Sequence, residues 1–63
     1  MKSAELIRIL MQGGWYIDRH RGGSHMIMRH PDRPGFLVVP RHGSKEVGTG
    51  LAKSILKQAG LRN

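Results

Sequence analysis

The chain has no cysteine, which excludes a disulfide framework and any Cys-based zinc module. Nor does any run approach the roughly 20 apolar residues of a membrane span. The opening MKSAELIRIL lacks a long apolar signal core followed by a small-residue cleavage site. The expectation is therefore a cytoplasmic protein with no membrane partner. Acidic residues are also scarce, four Asp and Glu against eleven Lys and Arg. With 63 residues the chain reads as one domain, 1–63, without internal repeat, linker or low-complexity segment. A domain of this size buries only about 60% of the surface its unfolded chain exposes, so its stability is expected to be modest.

What is abundant is positive charge. The formal net charge is +7, and the basic residues run from Lys2 to Arg62 instead of collecting in a tail. That distribution fits a folded basic surface, and the usual target of such a surface is a polyanion, because each phosphate it neutralises releases condensed counterions. Nucleic acid is the expected partner; the alternatives are a basic protein that is merely soluble and one matched to an acidic protein partner.

Residues 3–12, SAELIRILMQ, place Leu6, Ile7, Leu10 and Met11 on one helical stripe. Ser3 is the candidate N-cap and Glu5 suits the helix dipole. Gly13 and Gly14 stop this helix. WYIDRHR then reads as a strand with Trp15, Ile17 and Arg19 on one face. Trp15 is the expected core anchor and Tyr16, on the other face, the better base-stacking candidate. In SHMIMRH, Met26 and Met28 make the core face, which turns His25, Ile27 and Arg29 outward. Met11 is read with them as core filling. PDRPG, 31–35, is a turn into a third strand, FLVVP. After the polar loop RHGSKEVGTG, Thr49 is a candidate N-cap for a second helix carrying Leu51, Ala52, Ile55, Leu56 and Ala59. Gly60 closes that helix, and Leu61 folds back onto its last turn. The fold class is thus α+β: a two-layer α-β-β-β-α domain, its three-stranded antiparallel sheet covered on one face by two helices.

The uncovered face holds the candidate chemistry. RNA cleavage without a metal needs a group that removes the proton from a 2′-hydroxyl, and histidine is the commonest side chain for that work near neutral pH. His25 qualifies by position, with Arg29, Arg41 and Lys45 as candidate cations for the phosphate. The competing reading is a solvated first residue of a strand. The loop PRHGSKE suits phosphate contact through Arg41, His42 and Lys45, or is simply polar. Lys53 and Lys57, one helical turn apart, either extend a phosphate track or form the solvated side of their helix. His20, His25 and His30 are spaced by five, which puts neighbours on opposite strand faces. No metal site or cofactor is expected from them.

The ordered set GGWYIDRHRGGSH, RHPDRPG, VVPRHG and SILKQAGL resembles the HicA family, the RNA-cleaving toxins of HicA–HicB toxin–antitoxin pairs. The resemblance covers nearly the whole chain. It implies a fold similar to double-stranded-RNA-binding domains and an mRNA interferase, a metal-independent endoribonuclease. By the same resemblance His25 would be catalytic, Gly23 and Ser24 would belong to the turn that presents it, and a HicB-like antitoxin would be the inhibitory partner. The rival functions are a non-catalytic basic RNA-binding module and a small structural protein of a ribonucleoprotein particle.

Overall fold

A computed structural model describes residues 1–41 and 44–61. The elements follow the expected order: α1 (Ser3–Gln12), β1 (Tyr16–Arg21), β2 (His25–His30), β3 (Arg33–Pro40) and α2 (Thr49–Gln58). The strands form one antiparallel sheet in the order β1-β2-β3. Both helices pack on one face of it, closing a single core of Leu6, Leu10, Trp15, Met26, Met28, Leu37, Val39, Val47, Ala52, Ile55, Leu56 and Ala59. This is the two-layer arrangement the apolar stripes require.

Both helices end the same way. At α1 the Gly14 and Trp15 amides donate to the Met11 and Leu10 carbonyls; at α2 those of Gly60 and Leu61 donate to Lys57 and Leu56. Each is a Schellman motif, with Gly14 (φ 97°) and Gly60 (φ 76°) in the left-handed conformation it needs. Each motif throws an apolar residue back onto the core: Trp15 in one case, Leu61 in the other. Gly14 is required twice over, because a Cβ there would also lie 2.6 Å from His30 Nε2.

Several expectations are corrected. Ser3 is not a cap: it is fully buried in the first turn of α1 and its hydroxyl donates to the Pro40 carbonyl. The α1 N-terminus is closed instead by tertiary pairing, with Ser3 N–H on the Lys45 carbonyl and Val47 N–H on the Met1 carbonyl. Gly48, not Thr49, occupies the N-cap position of α2. Met11 and Leu51 are about half exposed, because each lies at the margin of a stripe wider than the sheet covers. The second hairpin turns on Pro31 and Asp32 alone, and β3 begins at Arg33, with a register irregularity absorbing Pro34 and the left-handed Gly35. Pro34 is tolerated because β3 is an edge strand.

The correction with most consequence lies in β1. Ile17 pairs with Met28 but Arg19 with Ile27, so Asp18 is an extra residue in the strand, a β-bulge. The alternation is reset there. Ile17 faces the helix side, half exposed at the sheet edge, whereas Arg19 crosses to the open face with Arg21.

Candidate active site

The segment RGGSH forms the first hairpin. Arg21 and His25 pair directly across a three-residue turn, Gly22 to Ser24. Gly22 carries the left-handed backbone (φ 67°). Gly23 sits at the tip, where a Cβ would meet nothing within 4 Å. The conformational need that the sequence placed on Gly23 therefore falls on its neighbour, while Gly23 leaves open space beside the histidine.

His25 opens β2, with Met26 and Met28 in the core and His25 exposed on the other side of the strand. On its second flank it pairs with Pro40, and the ladder continues one step further as the Arg41 amide donates to the Ser24 carbonyl at 2.7 Å. The hairpin end of the sheet thus places Arg21 directly beside His25, with Pro40 on the other side and Arg41 one residue beyond it. Pro40 is held from below by the Ser3 hydroxyl, and residues 1–3 in turn hold the Lys45 backbone. Lys45 therefore belongs to the same end of the molecule.

Ser24 Oγ lies 3.4 Å from His25 Nδ1. When Nδ1 carries the proton and the serine oxygen accepts it, Nε2 keeps its lone pair toward solvent. In that tautomer Nε2 is the nitrogen that can act as a general base.

The remaining residues fall elsewhere. Arg29 is four residues along β2 from His25, about 13 Å at the usual rise. It donates through Nε to Asp18 Oδ2 at 3.2 Å, and its guanidinium lies 5.5 Å from the centre of the Phe36 ring. Asp18 also accepts from Arg19 Nε at 3.1 Å. The Arg29 hydrogen bond, with that of Arg19, holds the Asp18 carboxyl below its ordinary pKa, against the smaller opposing effect of desolvation. Lys53 and Lys57 stand exposed on α2, the helix on the covered side of the sheet. His42 lies outside the described residues. Among those that are described, no three His, Asp or Glu side chains come together as a metal site, and no helix is long and apolar enough to cross a membrane.

His30 has a different role from His25. Its Nδ1 accepts from the Asp32 amide at 3.0 Å, so the proton resides on Nε2, which donates to the Gly13 carbonyl at 3.0 Å. This imidazole joins the end of α1 to the second hairpin.

Arg21 is the residue that reading by periodicity overlooked. The signal was present: in RGGSH the residues flanking the turn must face each other once the turn is recognised as a hairpin loop. Arg19 was concealed by the bulge.

Comparison with known proteins agrees with this fold. The family model described as the HicA toxin of bacterial toxin–antitoxin systems matches residues 3–61. A curated protein from Pseudomonas fluorescens (strain Pf0-1), named probable mRNA interferase HicA, is 62% identical over 26 residues. That match spans 41% of this chain and 43% of the relative, so less than half of the curated protein's length is covered. Among solved structures, a chain of a HicA3 and HicB3 toxin–antitoxin complex superposes with a TM-score of 0.78 at 31% identity, over 98% of this chain and 97% of that one.

Proposed function

Starting from a chain that belongs to the HicA toxin family, we propose that it is a metal-independent endoribonuclease acting on mRNA, with His25 as general base. The observation that carries this reading is the hairpin end of the sheet, where Arg21 pairs directly with the exposed His25 and the backbone of Arg41 closes the ladder on the other flank.

In the reaction, His25 Nε2 takes the proton of a 2′-hydroxyl as its oxygen bonds to the adjacent phosphorus. The bond from phosphorus to the 5′-oxygen breaks. The products are a 2′,3′-cyclic phosphate and a 5′-hydroxyl, the leaving oxygen taking a proton from the imidazolium or from solvent. Negative charge grows on the phosphoryl oxygens as the bond forms, and Arg21, directly opposite His25, is the cation placed to meet it; Arg41 adds charge at the same end of the sheet. Lys45 adds to the positive field at the same end. Ser24 Oγ, beside Nδ1, can accept a hydrogen bond from a proton there and leave Nε2 as the basic nitrogen.

The product ends test this chemistry. RNA digested by the purified protein in the presence of a metal chelator is expected to carry 2′,3′-cyclic phosphate and 5′-hydroxyl ends; 5′-phosphate with 3′-hydroxyl ends would show the mechanism to be wrong. Arg21→Gln is expected to lower kcat/KM about 10- to 100-fold, the size of a lost charge-assisted hydrogen bond, with the thermal midpoint unchanged because the side chain is exposed. Steady-state kinetics at fixed salt would check it, and unchanged kinetics would remove Arg21 from the site.

A nuclease of this kind must be restrained in its own cell. The solved relative is a complex with an antitoxin, and the partner proposed for this chain is a HicB-like antitoxin that covers His25 and its flanking cations.

A further inference from the structure

Across the far end of the open sheet face runs a row of three side chains, one from each strand. Tyr16 of β1 pairs directly with Arg29 of β2, and the Arg29 guanidinium lies 5.5 Å from the Phe36 ring of β3. Asp18 fixes Arg29 through its Nε. Both rings stay open, Tyr16 at 48% and Phe36 at 49% exposure. Two strand spacings separate them, about 10 Å. Val38, 38% exposed, and the half-buried Ile27 opposite it continue the apolar surface toward His25. The helices pack on the other face, so among the described residues no packing against the core accounts for two of the chain's three aromatics standing on the open face on either side of Arg29.

We infer that this row is a base-stacking platform for single-stranded RNA, holding bases of nucleotides that neighbour the one cleaved at His25. The inference rests on the nuclease reading for the identity of the polyanion, and it adds the strandedness of the substrate. Three observations favour RNA as the occupant. The face is cationic, with Arg19, Arg21 and Arg29 brought onto it by the β1–β2 register, in a chain of net charge +7. Its exposed rings, with a guanidinium between them, offer flat surfaces on which bases of any sequence can stack. The distance from Arg29 to His25, about 13 Å along β2, places the stacked bases beyond the scissile linkage, on the same strand. A duplex would not serve, because its bases are already stacked on one another and present only groove edges and backbone.

The test is equilibrium binding at fixed salt. His25→Ala protein, used so that the RNA stays intact, is titrated with a labelled single-stranded oligoribonucleotide and with the same strand annealed to its complement. The platform predicts tighter binding of the single strand. Phe36→Ala and Tyr16→Ala, each added to that background, should weaken single-strand binding about tenfold and leave duplex binding unchanged. Phe36→Leu should behave like Phe36→Ala, and Phe36→Trp should retain affinity. Circular dichroism confirms that each variant is folded. Equal affinity for the two RNAs, with no effect of Phe36→Ala, would overturn the inference. Unchanged RNA affinity together with lost binding of the purified antitoxin would overturn it in favour of a protein-docking face. Cleavage by the otherwise wild-type protein reports separately on the nuclease. A cutting enzyme whose RNA affinity ignores Phe36 and Tyr16 refutes the platform alone; stacking-dependent binding without cleavage supports the platform and refutes the nuclease.

Discussion

His25→Ala is expected to lower the RNA cleavage rate by about 10² to 10⁴, the usual contribution of one general acid–base group, while the protein stays folded and still binds RNA. The reason it stays folded is geometric. His25 is exposed, its ring's hydrogen-bond contact among the described residues is the Ser24 hydroxyl at 3.4 Å, and the β2 ladder beneath it is made by backbone. The reason it still binds RNA is that Arg21, Arg41 and the far end of the sheet are untouched. Cleavage assays with a chelator present, circular dichroism and growth after induction together measure the effect. Loss of cutting and of growth arrest, with binding retained, assigns the chemistry to His25. A variant that cuts and arrests growth like the wild type would make His25 an ordinary first residue of a strand and return the chain to the RNA-binding reading.

The comparison of His25 with His30 shows why periodicity reached one and not the other. Alternation along SHMIMRH turns His25 outward because Met26 and Met28 claim the core, and the structure agrees. The same alternation says only that His30 faces inward; its bonds to Gly13 and Asp32 depend on where the end of α1 comes to rest. The helix stripes, the glycine stops and the element order were legible for a similar reason, since each is written in residues a few positions apart. The β1 bulge was not. One inserted residue leaves no compositional mark beyond a charged Asp18 inside a strand, yet it moves Arg19 to the other face. Ser3 failed as a cap because the rule is local, and the Pro40 carbonyl, 37 residues away, competed for its hydroxyl. Arg21 could have been named from RGGSH alone, by asking which residue a hairpin places opposite the histidine.

Trp15→Ala is expected to destabilise the isolated domain by about 3–5 kcal/mol, the cost of removing a large aromatic from a packed core. A chain of this length has roughly 3–9 kcal/mol of total stability at typical per-residue values, so the variant should lose about a third of it or more, and most of it at the lower end of that range. The indole is 3% exposed and joins three parts of the fold. Its backbone amide completes the end of α1 on the Leu10 carbonyl. Its Nε1–H donates to the Ala59 carbonyl at the end of α2. Its ring meets His30 edge-on, with centroids 5.3 Å apart. Trp15→Phe keeps the edge contact and most of the volume but leaves the Ala59 carbonyl without this donor. It should lose only part of the stability, in the range of one hydrogen bond, about 0.5–1.5 kcal/mol, plus the smaller volume. Urea unfolding followed by circular dichroism measures both variants, and the order Ala far below Phe, Phe below wild type is the expected result. Because Trp15 lies on the covered side of the sheet, the partly destabilised Trp15→Phe protein should cleave RNA with an unchanged kcat under conditions where it is folded. A fall in kcat without a fall in stability would mean that the end of the sheet carrying His25 is tuned through the core, and not held only by its own hairpin.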